Sequence, residues 1–282
     1  MADILKGAPV AQAINQKSAE ALSALTKRGI VPTLAILRVG QREDDIAYEQ
    51  STVKRCEKLG VGVKSTVLPA DVTQEELMAQ IDGLNRNPKV HGILVFMPLP
   101  KHLDSEAARQ AISPQKDVDG VTDSSLAGVF TGSGRGFSPC TAQACVEILD
   151  HYGIDCAGTH AVVVGRSLVV GRPVAMLLMA KNATVTICHT KTADMPALTR
   201  SGEILIVATG KPKSVGAEHF APGQTVIDVG INFVDGAMCG DADFNAGQDL
   251  VGAITPGPGG VGTVTSAVLV SHVIEASQRQ NL

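Results

Sequence analysis

The stretch V-V-V-G-R-S-L-V-V-G-R-P, Val162 to Pro173, decides the fold. Three valines in a row (Val162, Val163, Val164) have the signature of a buried parallel strand, apolar on both faces. Gly165 ends that strand and Gly171 follows six residues later. Pro173 stands where a helix begins, a position that tolerates a residue without an N–H. Val174 to Lys181 continues as that helix. A strand, a Gly-bounded turn and a helix N-terminus together offer free N–H groups and a positive dipole end to an anion. The spacing is not G-x-G-x-x-G, so these residues alone leave two choices. The turn binds a dinucleotide, or it is an ordinary tight βα turn.

The pattern repeats outward in both directions. Upstream, residues 4–27 carry apolar positions at helical spacing. Strands are expected at Pro32–Val39, Val61–Leu68 and Val90–Phe96, with helices over 45–59 (Gly60 as its C-cap), from Thr73 to about Asn85, and over Ser105–Ile112. Thr73 and Glu76 form a capping box. A loop follows, containing K-D-V-D-G and T-G-S-G-R-G-F. Alternation then resumes with a helix over Thr141–Tyr152 and strands at His160–Val164, Thr184–Cys188, Ile204–Ala208 and Thr225–Val229. Leu250–Ile254 is a short apolar run, T-P-G-P-G-G-V-G comes next, and a last helix covers roughly 264–278. Repeated β-α order predicts an α/β protein with parallel sheets and ligands at the strand C-terminal ends.

Composition narrows the function classes. The 282 residues carry a net charge of −4 with no Lys/Arg cluster, which argues against a nucleic-acid surface. No stretch is long enough to span a bilayer, and the N-terminus has no signal pattern, so no membrane partner is expected. Six scattered cysteines without a C-x-x-C make a metal site and a disulfide framework poor readings, and fit reduced thiols in a cytoplasm.

Four stretches together resemble the methylenetetrahydrofolate dehydrogenase/cyclohydrolase (FolD) family: K-D-V-D-G (Lys116–Gly120), G-R-S-x-x-V-G-R-P (Gly165–Pro173), V-I-D-V-G-I-N (Val226–Asn232) and T-P-G-P-G-G-V-G (Thr255–Gly262). P-L-P (Pro98–Pro100) and P-C-T (Pro139–Thr141) fit as well. The resemblance covers essentially the whole chain in order and spacing. It implies a two-domain α/β protein. Residues 1–138 with 264–282 would be the folate-binding catalytic domain. Residues 139–263 would be a Rossmann-type NAD(P)-binding domain, with the final helix returning to the first domain. It further implies a homodimer and a tetrahydrofolate one-carbon substrate. The family's dehydrogenase takes a hydride from 5,10-methylenetetrahydrofolate. Its cyclohydrolase hydrates the resulting methenyl cation to 10-formyltetrahydrofolate.

Carried over residue by residue, the resemblance makes Tyr48, Thr52, Phe96 and Asp119 the catalytic positions. The family pattern is Tyr followed four residues later by Lys on one helix face. Here Tyr48 is kept and Thr52 stands where the Lys would be. Lys54, six from Tyr48, points elsewhere. The family's V-Q-x-P-L-P reads V-F-M-P-L-P, so Phe96 replaces a Gln that hydrogen-bonds that Lys. Losing both together is coherent, because a buried Gln without its Lys is poorly satisfied. The alternatives are a neutral surface substitution at Thr52 and a core Phe at a strand end. Asp119 would hold the pterin through two hydrogen bonds, the alternative being a loop-capping Asp, whereas Asp117 reads as structural.

Cofactor contacts carried over are Gly165, Arg166, Ser167, Gly171, Thr190, Lys191 and Ile231. Arg166, Thr190 and Lys191 suit a 2′-phosphate, which favours NADP over NAD. NAD stays open, because some relatives with the same Arg use it with phosphate and magnesium. Pro258, Gly259 and Gly260, with Tyr48 and Asp119, would contact folate. Gly257 and Thr263 replace residues usually Val and Pro in that loop. The expected activity is NADP-dependent methylenetetrahydrofolate dehydrogenase with cyclohydrolase lost or very weak. Alternatives are a bifunctional enzyme in which Lys54 or a water takes over, a non-catalytic folate- and dinucleotide-binding protein, and a dehydrogenase of a modified pterin carrier.

Overall fold

Strand and helix alternate along the chain in the computed structural model, which describes residues 1–234 and 236–281. The first half runs β1 (Asp3–Ile4), α1 (Gly7–Lys27), β2 (Thr33–Val39), α2 (Glu43–Leu59), β3 (Gly62–Leu68), α3 (Gln74–Arg86) and β4 (Gly92–Val95). Two short helices follow, α4 (Ser105–Gln110) and α5 (Asp123–Thr131). Next come α6 (Cys140–His151), β5 (His160–Val164), α7 (Gly171–Ala180), β6 (Thr184–Cys188), α8 (Met195–Ser201), β7 (Ile204–Val207) and β8 (Thr225–Asp228). An antiparallel pair, β9 (Asn232–Val234) with β10 (Ala237–Cys239), precedes α9 (Phe244–Gln248), β11 (Ala253–Ile254) and α10 (Val261–Gln280). Residues 13–140 and the chain from Ser266 onward form one unit; residues 1–12 and 141–265 form another.

The first unit is built on a parallel sheet in the order β3-β2-β4. Its central strand reads T-L-A-I-L-R-V, and Leu34 to Leu37 are fully buried, because both faces of a central strand meet other elements. Leu77, Ile81 and Leu84 recur at helical spacing on α3 and join Leu37 and Ile93 in one core. The Thr73–Glu76 capping box satisfies the free N–H groups at the start of α3. The last helix packs here too. Gln280 Nε2 donates to His91 O at 2.8 Å, and Arg28 Nη2 donates to Asn281 O at 2.6 Å.

The second unit is a six-stranded parallel sheet, β1-β11-β8-β7-β5-β6, the doubly wound arrangement of a Rossmann-type domain. Val162, Val163 and Val164 lie in β5, an inner strand between β7 and the edge strand β6, buried like Ile204–Val207 beside them.

Three local expectations differ from the structure. Residues 1–12, counted from the sequence with the first domain, belong to the second unit, where Asp3 and Ile4 pair with Ala253 and Ile254. A two-residue strand has no periodicity to read. The loop expected after K-D-V-D-G contains α5, which Thr122 caps at its start through Ser125 N and Gly132 ends at φ +67°. Its Phe130 is 72% exposed, so the helix lacks a clear apolar stripe. Helix α7 begins at Gly171, making Pro173 its third residue, where the N–H would still lack an intrahelical partner. Among the described residues, no helix is long and apolar enough to cross a membrane.

Candidate active site

In the first unit the site is organised by the loop 116–120, between β4 and α5. Asp117 is fully buried. Its carboxylate accepts four hydrogen bonds, from Val121 N (3.0 Å), Thr122 N (2.8 Å), Thr122 Oγ1 (2.7 Å) and Ser125 Oγ (2.6 Å). These fold the chain back so that Asp119 projects from the turn. Among the described residues no backbone N–H donates to the Asp119 carboxylate. Burial, and then the charge of Asp117, push its carboxyl up to about 7, offset in small part by the Cys140 thiol.

Tyr48 and Thr52 lie one turn apart on α2 and share a face. The Tyr48 ring sits 5.4 Å from the Phe96 ring, tilted by 41°. Tyr48 is 41% exposed as a residue, but desolvation of its phenol and the nearby Asp119 hold that group well above its usual range, so it stays protonated. Thr52 is 2% exposed; its polar neighbour is the Tyr48 phenol, and among the described residues its Oγ1 makes no hydrogen bond of good geometry. It is therefore not a surface substitution. Lys54 is exposed. Phe96 is buried at the end of β4, where its N–H donates to Leu37 O at 2.9 Å. The structure thus brings Tyr48, Phe96 and Asp119 together, with Thr52 beneath them on the Tyr48 face of α2.

In the second unit a cavity of about 390 Å³ opens at the C-terminal end of β5. Gly165, Arg166, Ser167 and Thr190 line it, together with Thr209, Lys211 and Ser214, which the sequence reading missed. The signal for those three was A-T-G-K-P-K-S directly after the apolar run of β7. Among the described residues no carboxylate lines the cavity, and neither Arg166 nor Lys211 has an ion-pair partner. The turn needs both its glycines. Gly165 has φ +132°, and a Cβ on Gly171 would lie 2.2 Å from Gly165 O. Such a cradle of cations, hydroxyls and close backbone fits a phosphorylated ribose. Gly171 supports the turn from behind. Lys191 is exposed and outside the lining, and Ile231 is 60% exposed.

Pro258 and Gly259 are exposed and Gly260 is buried, in the loop that Gly7 N anchors at Gly259 O (2.7 Å). In V-I-D-V-G-I-N, Asp228 accepts from Gly230, Asp241 and Ala242 N–H groups. Asp241 in turn accepts from Thr209 N, Gly210 N and Asn232 Nδ2, and so holds one wall of the cavity.

Comparison with known proteins bears on both units. Residues 5–119 match the profile of the tetrahydrofolate dehydrogenase/cyclohydrolase catalytic domain, and residues 139–281 that of its NAD(P)-binding domain. The chain is 44% identical over 282 residues to the bifunctional protein FolD of Alkaliphilus oremlandii, covering 100% of this chain and 99% of that one. The crystal structure of the bifunctional FolD of Campylobacter jejuni superposes with a TM-score of 0.96 at 36% identity, covering 99% of each chain. That of Trypanosoma brucei FolD, complexed with NADP cofactor and inhibitor, gives 0.92 at 34% identity, covering 99% and 98%.

The two loop carboxylates predict opposite stability effects. Asp117→Ala strands four buried donors and should cost at least about 3 kcal/mol by chemical denaturation. Asp119→Asn should stabilise by about 1–2 kcal/mol at pH 8. The native Asp119 holds its proton up to about 7 against an ordinary 3.8, so the wild type loses stability as pH rises between those values. The advantage of Asp119→Asn should therefore vanish below pH 4. An advantage constant across pH would contradict the assignment.

Proposed function

Since the chain belongs to the tetrahydrofolate dehydrogenase/cyclohydrolase family, we propose that it oxidises 5,10-methylenetetrahydrofolate to 5,10-methenyltetrahydrofolate with NADP, and hydrates that product poorly or not at all. A homodimer in the cytoplasm accompanies this reading, as the family resemblance implies. When bound, the nicotinamide supplies the hydride acceptor. Arg166 and Lys211 would hold the cofactor's phosphate charge, with Ser167, Thr190, Thr209 and Ser214 as hydrogen-bonding neighbours. Among the described residues no carboxylate there disfavours a 2′-phosphate, which supports NADP over NAD.

Hydride loss leaves a cation shared by two nitrogens and removes no proton, so orientation carries the step. Asp119, once ionised, accepts two hydrogen bonds from an amino-pyrimidinone edge. Tyr48 offers a protonated phenol beside it. Pro258, Gly259 and Gly260 supply a further folate contact. Hydration asks for more: an activated water and a group that exchanges protons.

The observation that carries the reading is the Thr52 hydroxyl, buried and neutral, with the Tyr48 phenol as its polar neighbour. It stands where the family has an ammonium group, and the apolar Phe96 ring stands where the family has an amide. A neutral hydroxyl neither activates water at neutral pH nor stabilises a developing negative charge as an ammonium does. Exposed Lys54 does not replace it. One observation favours a bifunctional enzyme instead, as its relatives are named: Asp119, near 7, is itself a group able to exchange protons.

The test is gain of function. Thr52→Lys with Phe96→Gln should raise methenyltetrahydrofolate hydrolysis at least about tenfold over wild type, while Thr52→Lys alone, facing a phenyl ring, should gain less. No gain in the double variant overturns the account of these two positions. For the cofactor, Arg166→Ser should raise KM for NADP about tenfold and leave KM for NAD within about twofold, read by initial rates.

A further inference from the structure

Helix α10 brings His272 under the loop that carries Asp119. His272 is 8% exposed. Its Nδ1 lies 2.9 Å from Val118 O. Burial holds the imidazole below its ordinary range, so it is neutral with a single proton, and the carbonyl partner places that proton on Nδ1. A second donor reaches the same oxygen: Cys140 Sγ, at 3.2 Å from Val118 O and 3.6 Å from His272 Nδ1. The Cys140 N–H donates to Asp119 O at 3.3 Å. The peptide carbonyls on both sides of the Asp119 Cα are thus tied to α6 and α10. The Phe137 ring, 4.9 Å from the imidazole, holds it in place, and the Arg279 guanidinium lies 4.4 Å from that ring's centroid.

We propose that His272 and Cys140 are positioning residues for Asp119, two donors on the Val118 carbonyl that fix the backbone from which the folate-binding carboxylate projects. This rests on the reading of Asp119 as the pterin contact. Asp117 fixes the loop from the α5 side; His272 and Cys140 fix it from the other. A carboxylate that must meet two N–H groups at once tolerates little rotation, so loss of the clamp reaches folate binding before it reaches the cofactor. The groups facing Asp119 are Asp117, Tyr48 and Cys140, with Arg55 beyond Tyr48; those facing His272 are Asp117, Glu275 and Arg279. A shift of the Asp119 backbone changes its distance to the first three and moves the pH dependence of folate KM.

The experiment compares purified full-length variants. His272→Leu keeps volume and removes the donor; His272→Asn keeps an N–H donor. His272→Leu should raise KM for methylenetetrahydrofolate about tenfold, leave KM for NADP within about twofold, and shift the pH midpoint of folate KM. His272→Asn should restore most of the loss. A folded His272→Leu with wild-type folate KM and pH midpoint overturns the proposal, as does a His272→Asn no better than His272→Leu. If His272→Leu does not fold, Cys140→Ala against Cys140→Ser gives the same comparison. Asp119→Asn separates the two levels. If it leaves folate KM unchanged, the pterin reading falls and this proposal with it; if it raises KM while His272→Leu does not, the positioning role alone falls.

Discussion

Four hydrogen bonds to the buried Asp117 carboxylate hold the first unit's chemistry in place. They close the K-D-V-D-G turn, start α5 at Thr122, and leave Asp119 facing Tyr48 rather than the loop. Two carboxylates two residues apart therefore have opposite characters. One is saturated with donors and belongs to the fold. The other is desolvated and, among the described residues, has no backbone donor, a state that costs stability and suits a ligand with N–H groups of its own.

The same economy of polar partners governs the wall opposite. Tyr48, Thr52 and Phe96 offer a protonated phenol, one neutral hydroxyl and a phenyl ring. A lysine in place of Thr52 would be a buried cation needing an acceptor, and Phe96 has none. A glutamine in place of Phe96 would have the Tyr48 ring beside it. On the proposed reading each replacement makes the other tolerable, so the two are expected to act as one change. In the second unit the logic is reversed: among the described residues Arg166 and Lys211 stand unpaired around a cavity, an arrangement that suits a phosphorylated ligand.

Much of this was legible in the sequence where the determining forces are local. Val162–Val164 before a Gly-bounded turn, and Thr73 three residues from Glu76, write their structures in adjacent side chains. The motifs that resemble a known family single out Tyr48, Thr52, Phe96 and Asp119, residues that local patterning alone does not mark. What escaped were features that local pattern does not encode. Strand β1 has two residues and exists only because β11 is there to pair with it. Helix α5 hides in a glycine-rich run with an exposed Phe130. Lys211 and Ser214 reach the cavity through a loop after β7. His272 meets Val118 across 154 residues, a contact that no period or spacing announces.

The central claim is that hydride transfer survives here without hydration. It is tested most directly by mixing the purified protein with methylenetetrahydrofolate and NADP, following NADPH and the methenyl absorbance separately. The account predicts that both rise together and that methenyltetrahydrofolate then decays no faster than in buffer alone. NADPH formation with methenyltetrahydrofolate consumed as fast as it is made would contradict it, and would assign water activation to a group other than the residue at position 52.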